Sequence, residues 1–483
     1  MGKALVRVAF CFISTATFTH TAFANPAFEN TLHTLIHQHI PNATLGLAVR
    51  DPQTGTILLE TRSEENFYPA SNTKLFSCAA ALQLLGGEFQ YPTTLRTSLE
   101  KLSDGTLHDN LSIVFTGDPS LEIADLTKLL STLQAKGIQK IQGNIVIDDT
   151  AFSGPAYAPG WTWDSIPYSY SAPVTSIILN ENKVLLSFEK ASTLGQAITI
   201  KQSDHLIPKL KIVSSVKAVT SKEAEHQCEF DADVKHNHIH LTGCWPLDKT
   251  PTSLELALDD PRNLAKRVIV ASLEKMHITL NGKIIFAKAN NTPIIATHQS
   301  APLKKLMVKS LADSNNLYTE SFTKTVGLVN FGEGSFQAGT HAIQAILSEH
   351  IHPAFRRLHI SDGSGQSRYN LASPYLISEL LCGMTHDPQF PIFYSALSVN
   401  GKNGTLSSRL THKTHAGKMV AKTGSGRGTS ALSGYFTGRS GKQYVFSLMI
   451  NQSTKRSREL KVFEDQLFHL LYEEPWLNNV FPA

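Results

Sequence analysis

"YPASNTKLFSCAAALQLLGG" (Tyr68–Gly87) places a serine and a lysine three residues apart at the head of an otherwise apolar, helix-forming segment. Gly86-Gly87 stops the pattern, so a helix beginning near Ser71 and ending before Gly86 is expected. Residues three apart share one face of a helix, and its first backbone N–H groups have no partner within the helix. A serine hydroxyl is a weak nucleophile until a base takes its proton. A lysine kept dry loses its charge more easily and can be that base. The free N–H groups can also hold a developing oxyanion. Ser71 and Lys74 are therefore a candidate nucleophile and base, set against the plainer reading of a helix-capping serine beside a surface lysine.

The string itself is common here. Ser98-Lys101, Ser187-Lys190 and Ser214-Lys217 repeat it in strand-like or turn-like stretches, and Ser272-Lys275 and Ser321-Lys324 repeat it late in helical ones. Only Ser71 and Lys74 open a helix. Two further strings follow. "ADSNNLYTE" supplies Ser314, whose hydroxyl can relay a proton, and Asn316, whose amide can orient Lys74 and a substrate carbonyl. Alone, this string is a turn signal, and Ser398-Val399-Asn400 shares its form. "MVAKTGSGRGTSALSGY" supplies Lys422, Thr423 and Gly424, the chain's sole Lys-Thr-Gly. On an edge strand that lysine and hydroxyl can hold a carboxylate, and the glycine lets a substrate backbone approach. The run lacks the order of a phosphate-binding loop.

The 483 residues imply two or three domains, and 41% hydrophobic with 17% charged residues is an ordinary globular composition. A net charge of +4 gives no support for nucleic acid as a partner. Lys3 and Arg7, the apolar run Val8–Phe18 and Ala22-Phe23-Ala24 read as a cleaved export signal over residues 1–24. That run is too short to span a membrane, and no later segment does so. Cys228 and Cys244 flank "CEFDADVKHNHIHLTGC" and could meet across paired strands in an oxidising compartment, or remain two buried thiols. Cys78, among alanines, reads as core packing.

"LGLAVRDPQTGTILLE" (residues 45–60) reads as a hairpin, and "GTSALSGYFTGRSGKQYVFSLMIN" near the C-terminus reads as another. Short strands follow residue 90, residues 180–256 are strand-like, and helices dominate after 290. One sheet built from both ends of the chain, with the middle inserted, accounts for this order. "ELKVFEDQLFHLLYEE", from Glu459, reads as a core-packing amphipathic helix rather than a membrane-surface anchor.

Ser-x-x-Lys, Ser-x-Asn and Lys-Thr-Gly in this order form the set of penicillin-binding proteins and serine β-lactamases. Ser71 and Ser314 are 243 residues apart and Ser314 and Lys422 are 108 apart, leaving room for a large insertion. The chain resembles the low-molecular-mass class C penicillin-binding proteins, the D-alanyl-D-alanine carboxypeptidase/endopeptidase family called peptidase S13 or penicillin-binding protein 4. "FTGDPSL" (115–121), "GWTWD" (160–164), "SDGSGQSRYNLASP" (361–374) and "NGKNGTLSSR" (400–409) look like its signatures. Asn315 departs from the more usual aspartate between the serine and asparagine.

The resemblance implies an α+β, multidomain fold. It expects a transpeptidase-like domain of antiparallel sheet and flanking helices from residues 25–90 and 290–483. A second domain from 91–179 and 257–289 would interrupt it, with a strand-rich third domain nested at 180–256. It also implies that Ser71 is acylated, Lys74 is its base, Ser314 relays the proton and Asn316 orients the site. Lys422 and Thr423 would bind the terminal carboxylate, and the N–H groups of Ser71 and Ser425 would form the oxyanion hole. Asp164 and Arg368 would hold the charged end of a peptidoglycan stem peptide, or else pair structurally between domains. β-Lactams would be covalent inhibitors. No cofactor or metal is expected, and the exported chain would work in the periplasm. The rivals are a serine β-lactamase and a non-catalytic penicillin-binding wall protein. A lactamase-like "EPWLN" occurs at Glu474–Asn478, but it follows Lys-Thr-Gly and reads as chance.

Overall fold

A computed structural model describes residues 26–473 except 190–192 and 227. The export signal and "EPWLN" lie outside the described residues.

The two hairpins form one antiparallel six-stranded sheet. Its order is Ile57–Thr61, Thr44–Arg50, Gln443–Asn451, Thr429–Thr437, Met419–Gly426 and Ser398–Val399, so both ends of the chain meet in it. Side chains alternate across a strand, and both faces here are covered. In Gln443–Asn451, Tyr444, Phe446, Leu448 and Ile450 join a core with the first helix, Pro26–His39, and the last, Ser457–Glu473. Val445 and Met449 join the opposite core, beneath the helices Thr73–Leu85, Leu303–Leu311, Asn316–Phe331, Phe336–His350 and Pro374–Thr385. Leu460, Phe463, Leu467 and Leu471 of the last helix are buried, the packing role its pattern suggests. Cys78 is likewise buried, against the Ser310 hydroxyl.

The helix after Tyr68 differs in one detail. Ser71 lies in a 3-10 turn, Ala70–Asn72, and the α-helix begins at Thr73. Asn72 stitches that turn to the sheet, its amide donating to Ser433 Oγ at 2.7 Å. Gly86 ends the helix with φ 77°, where glycine avoids the steric cost, and its N–H meets Leu82 O.

The inserted region carries a five-stranded sheet ordered Ile284–Phe286, Ile145–Asp148, Leu111–Val114, Pro92–Arg96 and Ile294–Gln299. Ile123–Ala135 and Pro261–Lys275 are its helices, the second capped by Asp260 with Pro261 in its first turn. The regular elements of residues 183–257 are mainly short strands, and they share one continuous core with that sheet and its helices, from Leu95 through Phe188 and Leu241 to Ile278. Because Ile294–Gln299 pairs with Pro92–Arg96, we place the return to the main domain between Gln299 and Leu303, later than residue 289. Cys228 and Cys244 are joined by a disulfide just beyond the open end of the hairpin Asp231–Lys235/His238–Thr242, rather than across paired strands.

Candidate active site

The two packed layers meet at the 3-10 turn carrying Ser71. Ala70 sits at φ 46°, a conformation costly for a side chain and often retained where function needs it. The loop Asp362–Gln366 presses on this turn. A Cβ at Gly365, itself at φ 86°, would lie 1.8 Å from Ala70 O, so only glycine fits there.

Lys74, in the helix's first turn, is fully buried. Its Nζ lies 2.9 Å from Ser71 Oγ, 2.6 Å from Asn316 Oδ1 and 2.8 Å from Ser364 O. All three partners are uncharged. Burial lowers the Lys74 pKa to about 8, opposed by the more distant negative charges of Glu320 and Asp362. A lysine in this setting can take a hydroxyl proton near neutral pH.

Asn316 opens the helix Asn316–Phe331, with Asn315 capping it through the Tyr318 N–H. The cap explains why asparagine serves in place of aspartate at 315, since both side chains accept such a bond. The Asn315 amide also donates to Glu181 at 2.7 Å. The Asn316 amide donates to Tyr170 O at 2.8 Å and Gln366 Oε1 at 3.0 Å, which aims its oxygen at Lys74. Gln366 in turn donates to Ser165 at 3.2 Å and to Ser171, so the inserted region helps set the amide's orientation.

Ser314 occupies φ 62°, and its Oγ lies 2.9 Å from Lys422 Nζ. In Met419–Gly426, Lys422 lies on the face of Val420, toward the helical layer. Lys422 is fully buried, with a second bond to Thr423 O at 2.8 Å, and burial followed by repulsion from Lys74 holds its pKa well below the usual lysine value. Thr423 is also buried, its hydroxyl donating to Thr405 at 2.8 Å. Gly424 passes close to the Ser71 turn: a Cβ there would stand 3.0 Å from Pro69 O.

Ser71 and Asn316 open onto a cleft of about 380 Å³, bounded also by Gln366, Ser425, Arg368 and Asp164. Arg368 stacks over Tyr68 at 4.6 Å, and among the described residues no ion pair joins it to Asp164. Thus Ser71, Asn316, Ser425, Asp164 and Arg368 line the opening, while Lys74, Lys422 and Thr423 lie beneath it.

Sequence reasoning missed the group that holds Lys74 in place. Glu320 is fully buried and accepts N–H bonds from Gly363 at 2.9 Å and Ser364 at 2.8 Å, presenting the Ser364 carbonyl to Lys74. Burial, then the nearby Asp362, raises its pKa to about 8. Asp362 braces the same loop through the N–H groups of Gly365 (2.9 Å) and Ser367 (2.6 Å) and takes the Trp161 indole N–H at 2.8 Å. The available signal was a carboxylate and an ammonium four apart, Glu320 and Lys324, within a helix buried almost all round.

Comparison with known proteins gives the chain's family. The chain is 27% identical over 465 residues to D-alanyl-D-alanine carboxypeptidase DacB of Haemophilus influenzae, covering 94% of this chain and 96% of that one. It is 29% identical to the D-alanyl-D-alanine carboxypeptidase of Actinomadura sp. (strain R39), covering 85% and 78%. The crystal structure of penicillin binding protein 4 from Haemophilus influenzae superposes with a TM-score of 0.84 at 28% identity, over 92% of this chain and 99% of that one. The same protein complexed with a β-lactam superposes at 0.78, with 26% identity. Residues 29–471 match one family, and the chain belongs to it: the D-Ala-D-Ala carboxypeptidase 3 (S13) family.

Proposed function

We propose that this serine hydrolase removes the terminal D-alanine of peptidoglycan stem peptides through an acyl-enzyme on Ser71, and that β-lactams acylate the same oxygen. One observation carries the reading: Lys74 Nζ, buried and lowered to about 8, faces the Ser71 hydroxyl with only neutral partners. Neutral Lys74 takes the Ser71 proton as Oγ attacks the penultimate D-alanine carbonyl. The backbone N–H groups of Ser71 and Ser425 receive the oxyanion. As the C–N bond breaks, the leaving amine takes the Ser314 hydroxyl proton, and the proton that Lys74 took from Ser71 replaces it by way of Lys422, so Lys74 is neutral again. Water then cleaves the ester, its proton passing to Lys74 and on to Ser71 Oγ.

The Arg368 guanidinium suits the terminal carboxylate, and Lys422, acting from beneath the cleft, is favoured in its charged form once that anion is bound. Asp164, exposed at the rim, suits a cationic group on the stem. We extend the proposal to cross-linked stems, and so to D,D-endopeptidase activity. So does export to the periplasm belong to it. Among the described residues no helix is long and apolar enough to cross a membrane.

The test is labelling of purified protein with a fluorescent penicillin, beside Ser71→Ala, and assay of D-alanine release from a pentapeptide stem. Wild type is expected to label stably and release D-alanine, and Ser71→Ala to do neither. Unlabelled wild type would remove Ser71 as nucleophile. Rapid loss of label without D-alanine release would make the chain a β-lactamase.

A further inference from the structure

Away from the cleft, the last helix and the loop before the Lys422 strand bring together three side chains that the reaction does not use. His469 and Glu473 stand one turn apart on Ser457–Glu473, and His415 faces them from "THKTHAGK" (residues 411–418). One ligand atom from each falls within 4.8 Å of the others. We infer that His415, His469 and Glu473 form a binding site for a divalent transition-metal ion of the zinc class.

The spacing of the two imidazoles fits such an ion. His469 Nδ1 and His415 Nε2 are 3.1 Å apart. With metal–nitrogen bonds of about 2.0–2.1 Å, that separation closes an angle of about 100° at the metal, inside the range zinc accepts. The far side of His415 is already organised. Its Nδ1 lies 3.0 Å from Thr414 Oγ1, which lies 2.9 Å from His412 Nδ1. In the relay that satisfies every atom, His415 Nδ1–H donates to Thr414, whose hydroxyl donates to His412. That leaves the Nε2 lone pair aimed at His469, the outer-sphere support usual for a metal-bound histidine. The His415 ring is clamped edge-on by Tyr472 at 4.8 Å and Phe468 at 6.0 Å.

Glu473 supplies the anionic ligand. Arg439 holds its Oε2 at 2.7 Å, leaving Oε1 for the ion. His469 is exposed and the other two are half-buried, so water can reach the ion and complete its coordination. The site would fasten the last helix to the loop entering Met419–Gly426. Asn400 already frames that junction, donating to His415 O at 2.9 Å and accepting from Met419 N at 2.8 Å. The ion's role is structural, so penicillin labelling needs no metal.

The competing arrangement of the same atoms is a direct N–H···N bond from His469 to His415. Untagged, chelator-treated protein titrated with zinc chloride by calorimetry separates the two. One equivalent is expected to bind in the micromolar range or tighter, and the unfolding temperature is expected to rise. His469→Ala, at an exposed position, is expected to abolish the binding, and Thr414→Val to weaken it by about tenfold. Cobalt(II) is expected to give visible absorption bands that disappear in His469→Ala. No zinc uptake by wild type, or equal uptake by His469→Ala, would overturn the site in favour of the hydrogen bond. These readouts are independent of the Ser71 assignment, since neither outcome depends on penicillin labelling.

Discussion

Raising the pH from 7 to 9 is expected to speed acylation by a fluorescent penicillin about tenfold, because the reactive form has Lys74 neutral. With its pKa lowered to about 8, about one Lys74 in ten is neutral at pH 7 and about nine in ten at pH 9. The profile therefore climbs through pH 8 and levels off by about pH 9. An ordinary lysine near 10.5 would instead give a rise of about a hundredfold across the same interval with no plateau. The shape of the curve thus reads the burial of Lys74 directly. The sign follows from the cause: Lys74 has only uncharged partners, so desolvation favours the neutral form. Lys74→Arg completes the test, since a guanidinium stays protonated and cannot act as the base. It is expected to abolish labelling at every pH. Stopped-flow labelling under single-turnover conditions gives the rate. A flat profile with active Lys74→Arg would refute Lys74 as the base. A steep rise without a plateau would keep the base and refute the effect of its surroundings.

Three further outcomes follow from buried groups. Glu320→Gln can accept only one of the two N–H bonds from Gly363 and Ser364 and turns its own NH₂ toward the other, costing about 1–3 kcal/mol in urea unfolding; labelling is also expected to slow as the Ser364 carbonyl leaves Lys74. Lys324→Met leaves the carbonyls of Ser153, Pro155 and Val174 without their shared donor, so the free energy of unfolding falls by about 1–3 kcal/mol while Ser71 still labels. Reducing Cys228–Cys244, whose members are 16 residues apart, costs the strand-rich segment about 3 kcal/mol by loop entropy and leaves the labelling rate unchanged; parallel thermal unfolding and labelling check both.

The parts of this fold that could be read from sequence were those set by short-range pattern. The hairpins at both ends announced one sheet, and Lys-Thr-Gly announced its place on a strand. The helix beyond Lys74 was visible in its apolar run and glycine stop, though the turn holding Ser71 was not, because contact with the sheet through Asn72 and Ser433 shapes it. The strand Ile294–Gln299 escaped because its membership depends on a partner, Pro92–Arg96, some two hundred residues away. Glu320, Asp362 and Gln366 escaped for the same reason. Each acts by holding a loop or an amide from another part of the chain, and such work leaves no spacing to recognise.

The two Ser-x-x-Lys strings within helices that end in fully buried lysines show what local pattern and electrostatics leave undecided. Lys74 and Lys324 each follow a serine by three, each is almost completely buried, and burial lowers each to about 8. Neither motif nor pKa separates them. What separates them is the company of the nitrogen. Lys324 Nζ meets three backbone carbonyls and the face of Phe336 at 4.4 Å, while Ser321 turns its hydroxyl away to Gly117 O. It joins a helix of the main domain to loops of the inserted region and has no proton to take. Lys74 Nζ has a hydroxyl, an amide oxygen and one carbonyl, and its hydroxyl opens onto the cleft. A buried lysine becomes a candidate base when one of its acceptors is itself an acid that substrate can reach. In this chain Lys74 meets that condition, and Lys324, equally buried and equally lowered, does not.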